Sequence, residues 1–154
     1  MSRKEHWEKV YSTKELREVS WYQPNPKASL DFIAGFNLPK GASIIDIGGG
    51  DSFLTDRLLE SGFTNITVLD ISEAAINRAK QRLGNKADMI KWIVSDITEF
   101  APTDSYDFWH DRATFHFLTT TEEIEKYISI AAKAVKENGK MLIGTFSENG
   151  PEQC

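Results

Sequence analysis

From residue 43 onward, short apolar runs alternate with segments whose apolar residues recur at helical spacing. The apolar runs, which predict strands, are residues 43–47, 65–69, 90–94, 106–110 and 140–146. The helical segments are residues 52–61, 72–83 and 119–139. Strands that alternate with helices and are apolar on both faces predict a parallel sheet covered on both sides. The predicted fold class is therefore α/β, with a doubly wound, mostly parallel sheet of five strands.

The residues ahead of this alternation predict a separate cover for the sheet. Helical spacing predicts helices over residues 3–19 and 27–37, and the segment "SWYQPNP" between them contains two prolines and Trp21. A chain of 154 residues is predicted to form a single domain, residues 1–154. Within it, residues 1–40 are expected to supply helices and a lid, and residues 41–147 the binding core.

Charge and cysteine content exclude several classes of function. The net charge of −5 argues against nucleic acid as a partner, because phosphate binding needs clustered cations. The single cysteine, Cys154, allows neither an internal disulfide nor a cysteine-rich zinc site, so no metal is expected and a cytoplasmic location is predicted. The sequence contains no signal-like or membrane-spanning run, so no membrane contact is expected.

Three consecutive glycines follow the first predicted strand and precede a helix. A phosphate-binding P-loop would require a Gly-Lys-Ser or Gly-Lys-Thr ending, which the chain lacks. The dinucleotide-binding fingerprint is matched only in part, because Phe53 stands where its third glycine belongs. Neither pattern explains Asp46, an acid near the end of a buried strand. A tight turn without a ligand is the remaining alternative.

Acidic residues and glycines recur near the carboxyl ends of the predicted strands, in the order Asp46, Gly48, Gly50, Asp70, Asp96 and Asp111, and Asp107 lies at the start of the fourth strand. This order resembles that of the class I S-adenosylmethionine-dependent methyltransferases, and "DRATFHFL" is similar to a stretch in small bacterial members. Ser52 replaces the last glycine of the fuller family pattern. The family usually continues past the fifth strand with further strands, which this sequence is expected to lack.

The resemblance implies a binding site for S-adenosylmethionine, with S-adenosylhomocysteine as product. It places Asp46 near the methionine end of the cofactor, Asp70 and its neighbour Ile71 at the ribose, and Asp96 and Ile97 at the adenine. The residues that it implies in cofactor binding are Trp21, Asp46, Gly48, Gly49, Gly50, Asp70, Ile71, Asp96, Ile97 and Asp111. Simpler alternatives stay open for several of them: Asp70 as a helix cap, Asp96 in an Asx turn, and Asp111 paired with Arg112.

The implied reaction transfers a methyl group to a small-molecule or protein acceptor that the sequence does not identify. His110 and His116 are the candidates for a general base, although a histidine between two phenylalanines is more often structural. An NAD-dependent oxidoreductase and a noncatalytic cofactor-binding module remain as alternatives. The apolar fifth strand is expected to form a sheet edge through which a homodimer could assemble.

Overall fold

A computed structural model of the chain describes residues 1–112 and 114–149. The helices are α1 (Arg3–Thr13), α2 (Lys27–Gly35), α3 (Leu54–Glu60), α4 (Glu73–Leu83) and α5 (Thr121–Ala134). The strands are β1 (Ile44–Ile47), β2 (Ile66–Asp70), β3 (Ile90–Val94), β4 (Tyr106–Arg112) and β5 (Val135–Gly144). Short 3₁₀ helices lie at Leu16–Glu18, Gly84–Met89, Ile97–Glu99 and Phe115–Phe117.

The five strands form one parallel sheet in the order β3-β2-β1-β4-β5. This confirms the predicted α/β, doubly wound fold. The strand order reverses between β1 and β4, which are direct neighbours, and Asp46 lies opposite His110 in their register. Open sheets of this kind bind ligands beyond the carboxyl ends of their strands at such a reversal.

Helices cover both faces of the sheet, and each face has its own apolar core. Trp109 and Tyr127 lie in the core beneath α5, whereas Ile44 and Phe108 lie in the core beneath α2 and α3. Successive side chains of a strand point to opposite faces. His110 therefore shares the face of Phe108, beneath α2, and Asp111 shares the face of Trp109, beneath α5.

The boundary between the last helix and the last strand differs from the prediction. The sequence predicts one helix over residues 119–139, but α5 ends at Ala134 and β5 already begins at Val135, which pairs with Tyr106. The register between β4 and β5 then shifts before Lys140 pairs with Phe108. Pairing with a buried strand therefore overrides helical spacing here. The capping box predicted from Thr120 and Glu123 is confirmed.

The first helix is also shorter than predicted. The expected helix over residues 3–19 ends at Thr13, and the chain then passes through a 3₁₀ turn at Leu16–Glu18. Lys14 is extended, which breaks the helix between the two. Within the described part of the chain, none of the helices is both long and apolar enough to cross a membrane.

Candidate functional site

Two adjoining cavities lie beyond the carboxyl ends of the strands. The larger encloses about 700 Å³ and the smaller about 450 Å³, their open mouths included. Four residues line both cavities and form the boundary between them: Tyr11, Trp21, Gly48 and Arg112.

Asp70 ends β2 and lines the larger cavity, although only 4% of its surface is exposed. Its carboxylate accepts the backbone N–H groups of Gly50 at 2.9 Å and Ser72 at 2.8 Å. Burial is the main cause that raises the pKa of Asp70 to about 6. A carboxylate can accept about four hydrogen bonds, so it retains capacity for a ligand's donors. The separate N-cap of α4 is Ser72, whose side chain accepts the N–H of Ala75.

Gly48 turns the chain out of β1 with a φ of +66°, in the left-handed region that favours glycine. A Cβ at this position would collide with the hydroxyl of Thr114, which donates to the Ile47 carbonyl at 3.3 Å. The loop after β1 is thereby held against the loop after β4, and both border the larger cavity. Glycine is needed at this position for the packing of the protein itself.

Asp46 and His110 form a buried pair beside the smaller cavity, which both residues line. Asp46 Oδ1 lies 2.7 Å from His110 Nδ1, and His110 Nε2 lies 2.8 Å from Ser29 Oγ in α2. Within the described chain, Asp46 Oδ2 is buried and has no hydrogen-bond partner.

Asp96 follows β3 and lines the larger cavity together with Ile97. Its carboxylate accepts the N–H of Thr98, as in an Asx turn, and also receives Arg3 Nη1 at 3.0 Å. Arg3 pairs in addition with Glu123 of α5. Helix α1 is thus tied across the larger cavity to elements on its far side.

Arg112, at the end of β4, lines both cavities. Its guanidinium donates to the Gln23 side chain and, at 3.2 Å, to the Trp21 carbonyl. Among the described residues it forms no salt bridge. Burial lowers the pKa of Arg112, opposed by the charge of Asp46. A cation held only by neutral groups is available to an anionic ligand.

Asp111, which precedes Arg112 in β4, lies away from both cavities. The Asp111 carboxylate is fully buried and accepts the Tyr127 hydroxyl at 2.7 Å and the Thr114 N–H at 2.8 Å. Burial raises the pKa of Asp111 to about 6. It lines neither cavity, and its partner is Tyr127 instead of Arg112. Its expected contact with the cofactor is therefore not supported by its position.

His116 lies between the rings of Phe117 and Phe146, each with its centroid 4.3 Å away. Both ring nitrogens are buried without a partner among the described residues, and burial lowers the pKa of His116. Phe117 and Phe146 line the larger cavity. His116 is thus a neutral side chain behind the cavity wall.

The structure brings most of the predicted binding residues to the two cavities. The larger is lined by Trp21, Gly48, Asp70, Ile71, Asp96 and Ile97, and the smaller by Trp21, Asp46, Gly48 and Gly49. Gly50 lines neither and instead donates to Asp70. Sequence reasoning missed Arg3, Trp7 and Tyr11, which all line the larger cavity. Their spacing of four residues along one helix face was the available signal.

A parallel sheet in this order, with an acid-and-glycine loop at its reversal point, defines a nucleotide-binding α/β protein of the Rossmann-like type. Residues 44–139 match the model of a family described as a methyltransferase domain. The chain belongs to this family, and the resemblance to class I methyltransferases is confirmed.

Relatives and solved structures agree with this assignment. Malonyl-[acyl-carrier protein] O-methyltransferase of Anoxybacillus flavithermus is 35% identical over 108 residues, which cover 69% of this chain and 39% of that protein. The eEF1A lysine and N-terminal methyltransferase of Bos taurus is 24% identical over 90% of this chain and 20% of its own length. The chain thus spans two fifths or less of either relative.

Among solved structures, the DhpI-SAM-HEP complex superposes with a TM-score of 0.71 at 17% identity, covering 89% of this chain and 61% of that one. An S-adenosylmethionine-dependent methyltransferase from Clostridium acetobutylicum gives a TM-score of 0.67 at 17% identity, covering 89% and 55%. These two likenesses concern the fold.

Proposed function

We propose that the chain binds S-adenosylmethionine and transfers its methyl group to an acceptor. The observation that carries the proposal is the larger cavity, where the ends of three strands present Gly48, Asp70 and Asp96 together. We place the nucleoside there, with its ribose at Asp70 and its adenine at Asp96 and Ile97. The relatives named as methyltransferases support this activity.

The smaller cavity fits the amino-acid end of the same cofactor. Among the described residues, Asp46 Oδ2 has no hydrogen-bond donor and Arg112 has no carboxylate partner. A group that carries both an ammonium and a carboxylate satisfies the two together. The methionine end therefore lies toward Asp46 and Arg112, with Trp21 and Tyr11 at the boundary.

When bound, S-adenosylmethionine supplies a methyl group already activated by its sulfonium. The protein then has to align the acceptor in a site from which water is excluded. Trp7, Tyr11 and Trp21 cover the cavity with aromatic surface, and α1 with the segment around Trp21 acts as the lid. We assign no general base, because His116 lines neither cavity and both ring nitrogens of His110 are held by Asp46 and Ser29.

The acceptor is a small molecule or a protein. The two named relatives act on different kinds of acceptor, malonyl-[acyl-carrier protein] and a lysine or N-terminus of eEF1A, so they do not select one for this chain. Two further proposals rest on the sequence and the sheet: a cytoplasmic location, and pairing of two copies along β5.

A methyl-transfer assay tests the activity. The purified chain is incubated with S-adenosylmethionine and a panel of carboxylic acids, amines and lysine-containing peptides, and release of S-adenosylhomocysteine is measured. We expect release with at least one acceptor class, and its loss in Asp70→Ala. Binding of cofactor without release across the panel would favour the noncatalytic module. The oxidoreductase alternative predicts that NAD stabilises the protein and S-adenosylmethionine does not.

A further inference from the structure

Three buried polar side chains form a hydrogen-bonded row from α2 to the point where the strand order reverses. Ser29 in α2, His110 in β4 and Asp46 in β1 are 5%, 3% and 2% exposed. The Ser29 Oγ to His110 Nε2 distance is 2.8 Å, and the His110 Nδ1 to Asp46 Oδ1 distance is 2.7 Å. This row of three side chains lies in an otherwise apolar layer that includes Ile33 and Phe108.

Both ring nitrogens of His110 have a hydrogen-bond partner in this row. Nδ1 pairs with Asp46 Oδ1, and Nε2 pairs with the Ser29 hydroxyl. Both ring nitrogens are then engaged within the protein. His110 therefore has no free nitrogen to take a proton from a substrate, and its geometry is that of an orienting group.

The bond from His110 fixes the direction of the other Asp46 oxygen. Oδ2 lies against Gly49, where a Cβ would collide with it, and Asp46 and Gly49 both line the smaller cavity. Oδ2 is buried and has no partner among the described residues. A buried carboxylate oxygen without a donor costs free energy, so its orientation points to a cationic donor that comes from a ligand.

We propose that His110 and Ser29 are positioning residues, which hold Asp46 so that Oδ2 receives the ammonium of a ligand's amino-acid group. The inference rests on the proposed function, under which that group is the methionine end of S-adenosylmethionine. It assigns His110 a role in ligand recognition in place of general base catalysis. The bond from Ser29 in α2 to His110 also links the residues ahead of the core to this recognition.

Two ligands separate this role from a purely structural one. S-adenosylhomocysteine carries the ammonium and carboxylate, whereas 5′-methylthioadenosine keeps the nucleoside and thioether but lacks both. In His110→Phe, the affinity for S-adenosylhomocysteine should fall by about tenfold or more, because a charge-assisted interaction is lost. The affinity for 5′-methylthioadenosine should stay within about twofold, since its contacts lie in the larger cavity.

Conservative variants keep the test decisive if His110→Phe folds poorly. His110→Asn retains an N–H donor near the position of Nδ1 and should recover most of the S-adenosylhomocysteine affinity. Ser29→Ala should lose affinity in the same selective way, by a smaller factor. Tyr127→Phe is the matched control, because it removes two buried hydrogen bonds, to Asp111 and from Trp109, on the opposite face of β4. It should lower the melting temperature without changing the ratio of the two affinities.

The outcomes separate this inference from the proposed function. If the unmodified protein binds S-adenosylhomocysteine and the His110 and Ser29 variants lose affinity for both ligands equally, the positioning role is wrong and the proposed function stands. Unchanged S-adenosylhomocysteine affinity in folded His110→Phe overturns the inference in the same way. If the unmodified protein binds neither ligand, the proposed function itself fails, and the inference fails with it.

Discussion

At the scale of single residues, the site contains a buried carboxylate, Asp70, that burial makes harder to ionise. Among the described residues, Asp70 accepts hydrogen bonds only from Gly50 and Ser72, and burial raises its pKa to about 6 from 3.8. Ionised Asp70 therefore costs the free protein stability, and its contribution to the free energy of unfolding falls as the pH rises from about 4 through about 6. A ligand whose hydroxyls donate to the ionised form offsets this cost.

This shift predicts the pH dependence of ligand binding. S-adenosylhomocysteine affinity should rise as the pH increases from about 5 to about 7 and then level off, because ribose hydroxyls donate to the ionised carboxylate. Titration calorimetry over this range measures it. Asp70→Ala should bind more weakly and with a flat pH profile. Burial also raises the pKa of Asp111 to about 6, but Asp111 lines neither cavity and should not affect binding. A flat profile in the unmodified protein would contradict the ribose assignment.

Residue types at strand ends could be predicted from the sequence, but the bonds between them could not. The resemblance to class I methyltransferases implied Asp46, Asp70 and Asp96, and Asp46 also stands out as an acid near the end of an apolar strand. The bond from His110 to Ser29 joins residues 81 positions apart in the chain, and it depends on how α2 crosses the sheet. The resemblance implied a cofactor contact for Asp111, whereas its side chain is fully buried against Tyr127 and Thr114 and lines neither cavity.

At the scale of elements, α1 lies directly on the larger cavity, which Arg3, Trp7 and Tyr11 line. Arg3 holds its first turn to Asp96 and Glu123, and Trp7 packs edge-to-face on Phe117 with a centroid distance of 4.9 Å. Glu8 accepts the N–H of Ala74 at the start of α4 at 3.0 Å. These side-chain contacts hold α1 over the cavity, and we propose that the helix opens and closes as a lid.

Removing the Arg3 contact should therefore loosen the lid. In Arg3→Ala we expect S-adenosylhomocysteine to dissociate about threefold faster or more, and the α1 amides to exchange faster with solvent. Stopped-flow displacement and hydrogen exchange measure the two effects. Lys4→Ala removes an equal charge from an exposed position of the same helix and serves as the control. Equal dissociation rates in the three proteins would show that α1 does not gate the cavity.

The elements themselves were predicted well where local signals and tertiary pairing agree. β3 matches its predicted bounds, and Ser72 caps α4 as expected. The prediction was wrong at residues 135–139, which were assigned to the last helix but belong to β5. The favourable free energy of pairing with β4 depends on residues distant in the sequence. Helical spacing alone therefore predicted the boundary between α5 and β5 too late in the chain.

At the scale of the whole molecule, the sheet has an apolar edge. Among the described residues, β5 pairs only with β4, and Met141 and Ile143 on this strand are 42% and 40% exposed. An edge strand with exposed apolar side chains favours pairing with another strand. We propose that the partner is β5 of a second copy.

Light scattering over a concentration series tests this pairing. The chain should associate reversibly, and Ile143→Lys should shift the association to higher concentration, because a charge on the edge opposes strand pairing. Ile128→Lys is the matched control, since Ile128 is 57% exposed but lies on α5. A monomer at all concentrations, or equal effects of the two substitutions, would argue against pairing through β5.

The central claim is that this fold binds S-adenosylmethionine across the ends of its strands, and calorimetry with S-adenosylhomocysteine tests it most directly. The account predicts saturable binding at a single site per chain, with an affinity about tenfold or more weaker in Asp70→Ala and no measurable binding of NAD. The absence of heat with both S-adenosylhomocysteine and S-adenosylmethionine, on protein shown by circular dichroism to be folded, would contradict it.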